Sequence, residues 1–556
     1  MTPRTPTALD ALADKHFVAE VKLSPITMTY LGLHTGQDSY DDFSPAGCDA
    51  HHALAAATLA QLDTTELTDD TDRVTASALR ERLTLAVEEH QCGADLMDIA
   101  NIDSGLHSIR EVYDLMPTAT EDDWKTIARR LSAVPTAIAG WLEAQMAGIE
   151  HGIKPALRQV DALIAQCEGW ARRGGSLDQL LAQARADCPE LSSRTRDRLV
   201  EGVAIAQAGY ATAIEALTED IRELATDQDA VGETRYALAS REFLGTHLDF
   251  EQSYRWGLEQ VEALEERQTE ICAKLRPGLS VADTKKALDD DPAYILDGPD
   301  AMKQWMQARA EAAIEAVNGP HFDIPEPARR IECMIAPTHD GGIYYTEPSD
   351  DFSRPGRMWW SVPEEQTAFS TWRELTTVHH EGVPGHHLQI GQAVYNKDML
   401  NKWRRHGIWV SGHGEGWALY AEQLMADLGY LEDPAMMLGM LDGQALRAVR
   451  VVIDIGLHCG FTPPPEVGGG QWTFESALAY FNRHVDMDPG VTRFEVMRYF
   501  GWPGQAPSYK IGQKIWTEIR DETQRREGAD FDLKAFHTRA LNLGSLGLDT
   551  LREALL

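Results

Sequence analysis

The feature that most restricts this chain is a three- to four-residue spacing of apolar side chains that persists from about residue 51 to 275. Segments such as DRVTASALRERLTLAVEEHQ, TIARRLSAVPTAIAGWLEAQMAGIEHGI and LVEGVAIAQAGYATAIEALTEDIREL all carry it. That period gathers apolar residues on one stripe of an α-helix and does not match the two-residue alternation of a half-buried strand. Alanine and leucine are plentiful and β-branched runs are few, so local preference agrees with the pattern. Residues 8–34 read as helix, a break at Ser24-Pro25, then more helix. No internal repeat or low-complexity linker interrupts the chain. A mainly α-helical fold is expected, and 43% hydrophobic residues in 556 supply ample apolar mass for its core.

The texture changes near residue 320. IECMIAP, GGIYYTEP and GRMWWSVP are short runs rich in β-branched and aromatic residues, punctuated by Gly and Pro, and they read as a small sheet. Helical pattern returns at TAFSTWRELTTVHHEG and continues to the end, interrupted at HCGFTPPPEVGGGQW and FGWPGQAPSY. The expected organisation is a helical N-terminal region over 1–320 and a catalytic region over 321–556, packed as one compact unit. The sheet lies just before the histidine-rich stretch. Its edge from Gly341 to Thr346, with Tyr344 and Tyr345, is placed to align an extended substrate by strand addition.

Charge and cysteines narrow the partners. A formal net charge of -36 and a pI of about 4.8 argue against nucleic acid or an anionic membrane, both of which need a positive footprint. The start, MTPRTPTALDALADKHF, has no apolar run resembling a signal peptide, and no apolar stretch is long enough to span a bilayer. Cysteines 48, 92, 167, 188, 272, 333 and 459 form no C-x-x-C pair. They read as thiols of a reduced, cytoplasmic chain. The oligomeric state stays open, a homodimer included.

Chemistry concentrates in HHEGVPGHHLQ, residues 379–389. The familiar H-E-x-x-H motif works because histidines four apart share a helical face and grip one ion. Here His380-Glu381 opens such a motif, but position 384 is proline and the next histidines are His386 and His387. In an unbroken helix position 386 would lie about 120° round the cylinder from 380, and position 387 about 10 Å further along it. Pro384 cannot donate to the carbonyl of His380 and clashes with it, and Gly385 and Gly382 give the backbone slack. A bulge absorbing two extra residues would bring His386 to the place of the usual second histidine. His379 and His387 then support the ligands or line the pocket.

A catalytic zinc needs a third protein ligand. GHGEGWALYAEQL supplies Glu415, at the start of an apolar helix and 35 residues after His380, and Glu422, seven further on, to orient a histidine ligand. His413 competes as a ligand or transition-state donor. In LRAVRVVIDIGLHCG, Arg447, Arg450, Asp454 and His458 make one polar stripe on an apolar helix, which implies a wet interior. Two readings stand for the arginines: a clamp on a substrate carboxylate, or ion pairs with Asp454 and a neighbour. RYFGWPGQAPSYKIGQ puts Gln505, Tyr509 and Lys510 behind a Gly/Pro turn. Tyr509, or a histidine such as His458, could donate to an oxyanion.

These blocks, with ALADKHFVAEVKLSPITMTYLGLH near the start, resemble the bacterial "domain of unknown function 885" family, placed with the zincin-like metallopeptidase clan. The resemblance runs from about residue 8 to 513. It implies a mostly helical fold with a small sheet beside the metal helix, zinc on His380 and His386, and Glu381 as general base. It also favours Glu415 as the third ligand. The expectation is a hydrolase with one Zn2+ per chain acting on short peptides. A metal-dependent hydrolase of another amide or C–N bond, and a catalytically inactive helical binding protein, are the alternatives.

Overall fold

The structure, a computed structural model, describes residues 4–33, 36–336, 342–363 and 365–556. Helices account for 68% of the chain, about twice the share in an average globular domain, so the fold is mainly α. Helix starts follow local chemistry. Thr7 and Thr120 each accept a backbone N–H at the first turn, while Asp10 and Asp123 return the bond to the cap residue. The break at Ser24-Pro25 separates helices Ala8–Leu23 and Pro25–Tyr30.

Two large apolar cores and a small third one around Trp372 and Leu438 carry the described helices. One is built from residues between Ile26 and Ile221, where the long helix Glu121–Glu150 lies along Ser193–Ala216. The other runs from Leu9 to Leu551. Met302, Met306 and Val317 of helix Pro299–Val317 share it with Ile331, Val378 and Trp417, so packing is continuous across residue 320.

The strands stand where the β-branched and aromatic runs are. Among the described residues there are β1 (Ile295–Asp297), β2 (Ile331–Ile335), β3 (Ile343–Thr346), β4 (Gly356–Trp360) and β5 (Ala368–Ser370). β2, β4 and β3 form one sheet in that order, β2 parallel and β3 antiparallel to β4. Gln307 closes the outer edge of β2: its side-chain amide donates to the Ile331 carbonyl at 3.0 Å and accepts from the Cys333 N–H at 2.9 Å. β3 is the opposite outer strand. Gly341, the first residue of the expected sheet edge, lies outside the described residues. β1 and β5 pair antiparallel, a ladder that the sequence reading did not include. β5 runs directly into the helix Thr371–Glu381 that carries the metal motif.

Candidate metal centre

The histidine-rich stretch is two helices. The first, Thr371–Glu381, ends with Gly382, and the second, His386–Tyr395, begins four residues on. The expected bulge is therefore a complete break, since the Pro384 ring and its missing N–H leave no continuous ladder. The turn closes on itself: the Gly385 N–H donates to His379 O at 3.0 Å and the His387 N–H to Gly382 O at 3.1 Å. A side chain at Gly385 would put its Cβ 1.8 Å from the His380 carbonyl, so this tight return requires glycine. The consequence is convergence. The His380 and His386 rings lie 4.8 Å apart, edge to face, at 89°.

Helix Ser411–Asp427 brings the carboxylates. His380 Nε2 is 3.1 Å and His386 Nε2 3.5 Å from the same Glu415 Oε2. Ligand atoms about 2.0–2.1 Å from a tetrahedral ion stand about 3.3 Å apart, so these separations match the edges of such a site. Ligand atoms of His380, Glu381 and His386 also lie within 4.8 Å of one another, and these three residues form a group able to hold a metal ion. The far side of His380 is fixed as well. Its Nδ1 meets Glu422 Oε1 at 2.7 Å, and Glu422 Oε2 accepts from the Thr376 hydroxyl at 2.6 Å. A carboxylate behind a histidine ligand sets its tautomer and orientation. Among the described residues His386 Nδ1 has no such partner, and Glu381 Oε2 is buried without a hydrogen bond.

Electrostatics follow from that packing. Burial disfavours the His380 imidazolium, but Glu415 and Glu422 outweigh it and lift the ring's pKa to about 10. Burial would raise the Glu415 carboxyl, yet the His386 and His380 rings hold it well below the usual carboxylate range. Glu381 is pushed up, chiefly by burial, with the neighbouring histidines only partly offsetting it. The nitrogen and oxygen donors fit a borderline divalent metal such as zinc.

The site opens on a cavity of about 370 Å³. Its walls include Ile343 of β3, Glu374, Glu381, Glu415, Arg447, Arg450 and Tyr509. Tyr509 is positioned by helix Ser508–Glu527, which crosses Ser411–Asp427 backbone to backbone. A Cβ on Gly416 would sit 2.4 Å from the carbonyl carbon of Gly512, so only glycines allow that approach. The Arg450 guanidinium lies over the Tyr509 ring, 4.9 Å from its centroid. The Tyr509 hydroxyl makes no hydrogen bond among the described residues.

Other expected residues have different surroundings. His387 bridges the Tyr345 hydroxyl and the Ala328 carbonyl, both at 2.9 Å, and so ties β3 to the motif. Tyr344 points the other way and stacks on Trp359. His379 is buried outside the cavity, where burial holds its pKa near 4. His413 bonds the Gln389 amide at 3.1 Å and packs on Trp516, so it does not face the ligand cluster. His458, expected as an alternative oxyanion donor, has both ring nitrogens engaged. Its Nδ1 accepts from the Val231 N–H at 3.3 Å and its Nε2 donates to Tyr499 O at 2.8 Å, away from the cavity. Asp454 pairs with neither arginine: it accepts from the Tyr236 hydroxyl at 2.6 Å and the Gly504 N–H at 3.0 Å. Gln505 sits in the Gly/Pro turn. Lys510 donates to Gln444 at 2.6 Å and Gln513 at 2.8 Å, buried deeply enough to bring its pKa down to about 7.

The sequence reading missed Thr376, although its position four residues before His380 puts both on one helical face. It also missed Arg373 and Asp442, paired at 2.6 Å in the cavity wall from helices distant in sequence, and Glu495, the partner of Arg450.

A family model described as "Bacterial protein of unknown function (DUF885)" matches residues 25–555. The chain belongs to the DUF885 family. Among solved structures, this DUF885 chain is similar to one described as a "putative lipoprotein" of Colwellia psychrerythraea. It is 23% identical, with a TM-score of 0.83 and 98% of each chain covered. A second, a "putative lipoprotein of unknown function" of Shewanella oneidensis, is 18% identical, with a TM-score of 0.73 and 99% of each chain covered. At these identities the likeness establishes a common fold. No curated protein matches.

Proposed function

We propose that this DUF885 protein is a zinc-dependent hydrolase of the zincin-like kind that cleaves short peptides. One observation carries the reading: two imidazole Nε2 atoms converge on one Glu415 oxygen, 3.1 and 3.5 Å away, beside the buried, unpartnered Oε2 of Glu381. His380, His386 and Glu415 would hold the ion. When bound, zinc supplies an acidified water near neutral pH and polarises the scissile carbonyl.

Glu381 takes a proton on its free carboxylate oxygen and returns it to the leaving amine. Its raised pKa suits a group that must both accept and give a proton near neutral pH. Tyr509 donates its hydroxyl hydrogen to the developing oxyanion. Glu422, held by Thr376, keeps the His380 ring turned inward. β3, the outer strand whose Ile343 lines the cavity, aligns the peptide backbone. The cavity's size and enclosure by helices favour short peptides over folded proteins.

The decisive variant is Glu381→Gln. It should retain stoichiometric zinc and lose hydrolysis of a panel of short peptides, whereas His380→Ala should lose the metal. Retained hydrolysis by Glu381→Gln would overturn the assignment. A second reading has its own observation, because Glu381 belongs to the close group of metal-capable side chains. If Glu381 is a ligand, Glu381→Gln loses zinc, and the protein is a metal-binding module without a base. Cleavage of other amides in preference to peptides would redirect the substrate class.

For location we propose the cytoplasm, on the free thiols of all seven cysteines. The fold neighbours described as lipoproteins make a membrane-anchored location the competing one; cell fractionation separates the two. The net charge of -36 supports a chain without nucleic-acid partners.

A further inference from the structure

Resting on the peptidase reading of this cavity, we propose that Arg447 binds the C-terminal carboxylate of the substrate, so that the enzyme cuts short peptides at their carboxyl end. The argument starts from a charge inventory. Arg373, Arg447 and Arg450 line the cavity. Arg373 is matched by Asp289 at 3.0 Å and Asp442 at 2.6 Å. Arg450 is matched by Glu495 at 3.0 Å and by the Tyr499 hydroxyl at 3.2 Å.

Arg447 differs from both. Among the described residues it has no carboxylate within ion-pair distance. Its one hydrogen bond runs from Nη1 to the Gly443 carbonyl of its own helix, at 3.2 Å, and its Nε is buried without a partner. A guanidinium is permanently charged, and burying its donors unpaired is costly. The fold gives two of the arginines direct ion-pair partners, while Arg447 feels Glu381 and Glu422 only at longer range and its pairing is left to a ligand.

The anion's chemistry follows from the surroundings. Glu374 and Asp486 also line the cavity and disfavour a multiply charged anion such as phosphate more than a singly charged one. A singly charged, planar carboxylate matches the guanidinium fork. Arg447 shares one cavity of about 370 Å³ with Glu381, Glu415 and Tyr509. A carboxylate on Arg447 and a scissile bond beside Glu381 then share that one cavity, the arrangement a carboxypeptidase needs. The carboxylate could come from the chain terminus or from an acidic side chain; the terminus is assigned here because every peptide offers one.

The test measures binding, independent of turnover. Full-length Glu381→Gln protein, purified with its metal, is titrated calorimetrically with three probes: tetra-alanine, its C-terminal amide, and Ala-Ala-Ala-Glu amide. Tetra-alanine should bind roughly 10- to 100-fold more tightly than its amide, the range of a charge-assisted bidentate contact. Arg447→Gln in that background should collapse the two affinities to one level, and Arg447→Lys should keep part of the difference. Equal binding of acid and amide overturns the proposal. Discrimination that survives Arg447→Gln in a protein with unchanged thermal melting also overturns it. Ala-Ala-Ala-Glu amide binding as well as tetra-alanine would assign the carboxylate to a side chain and overturn the terminal assignment. If Arg447→Gln fails to fold, the acid–amide comparison and Arg447→Lys still decide. Wild-type hydrolysis separates this idea from the function it rests on. Discriminating binding without cleavage of any peptide keeps the anchor and sinks the peptidase. Cleavage of acid and amide alike does the reverse.

Discussion

His380 should make metal binding steeply dependent on pH, and Glu422 should set how far up the pH scale that dependence extends. In the metal-free chain burial works against the imidazolium. Glu422 at 2.7 Å and Glu415 at 3.1 Å nevertheless hold the proton and lift the ring's pKa to about 10. An ion occupying Nε2 displaces that proton. Below pH 10 each binding event therefore releases one proton from this ring, and apparent affinity rises about tenfold per pH unit, or about 1.4 kcal/mol. Between pH 6 and pH 8 the gain is about 100-fold from His380 alone. Glu422→Gln removes one of the two carboxylates that hold the proton, so the ring's pKa falls and the affinity levels off at a lower pH than in the parent. The variant also loses the partner that orients the ring, which lowers limiting affinity by about 10- to 100-fold. Competition with a chromophoric chelator from pH 6 to 8 gives the slope. Calorimetry in two buffers of different ionisation heat counts the protons. Zinc affinity that is flat across this range, or binding without proton release, would refute the reasoning.

The same proton has a sign in stability. The folded pKa of His380 lies above its ordinary 6.5, so its stabilising contribution is complete below pH 6.5 and is lost as pH rises through about 10. Chelator-treated protein should melt at progressively lower temperature across that window while zinc-loaded protein holds steady; parallel curves would count against the site. Tyr509→Phe should lower kcat by about 10²- to 10³-fold, typical of one lost oxyanion donor, with zinc content unchanged. An unaltered kcat would remove Tyr509 from the chemistry. Gly416→Ala forces a Cβ to within 2.4 Å of the Gly512 backbone and should cost about 1–3 kcal/mol in urea unfolding, with a loss of turnover as Tyr509 shifts. A variant as stable and active as the parent would show that the helix crossing does not position the site.

Where signals were local, the sequence carried them. The helical spacing, the break at Ser24-Pro25 and the runs that became β2, β3 and β4 are short-range patterns, and the chain adopts each of them. Pro384 and Gly385 announced the interruption between His380 and His386 because their backbone chemistry permits little else. The size of that interruption was less legible. A bulge and a complete break use the same residues, and the break is held by a contact from another helix, where Trp417 Nε1 donates to Pro384 O at 2.9 Å. Thr376 was readable by its spacing from His380; Arg373 with Asp442 was not, because 69 residues separate them.

The stripe Arg447, Arg450, Asp454, His458 marks the boundary most clearly. By itself the sequence determined that these four share a face of one helix, because a 3.6-residue turn dictates it. It also determined the ligand types and the order in which they arrive. Only tertiary structure decided what each meets. Positions 447 and 458 are about 16 Å apart along the axis, so one face passes through two environments. The first half borders the cavity beside Tyr509, and the second meets Tyr236, Tyr499 at the end of helix Pro489–Gly501, and Gly504 beyond it. Periodicity gives an angle about a helix; what faces that angle at each height is set by chain segments 41 to 227 residues away.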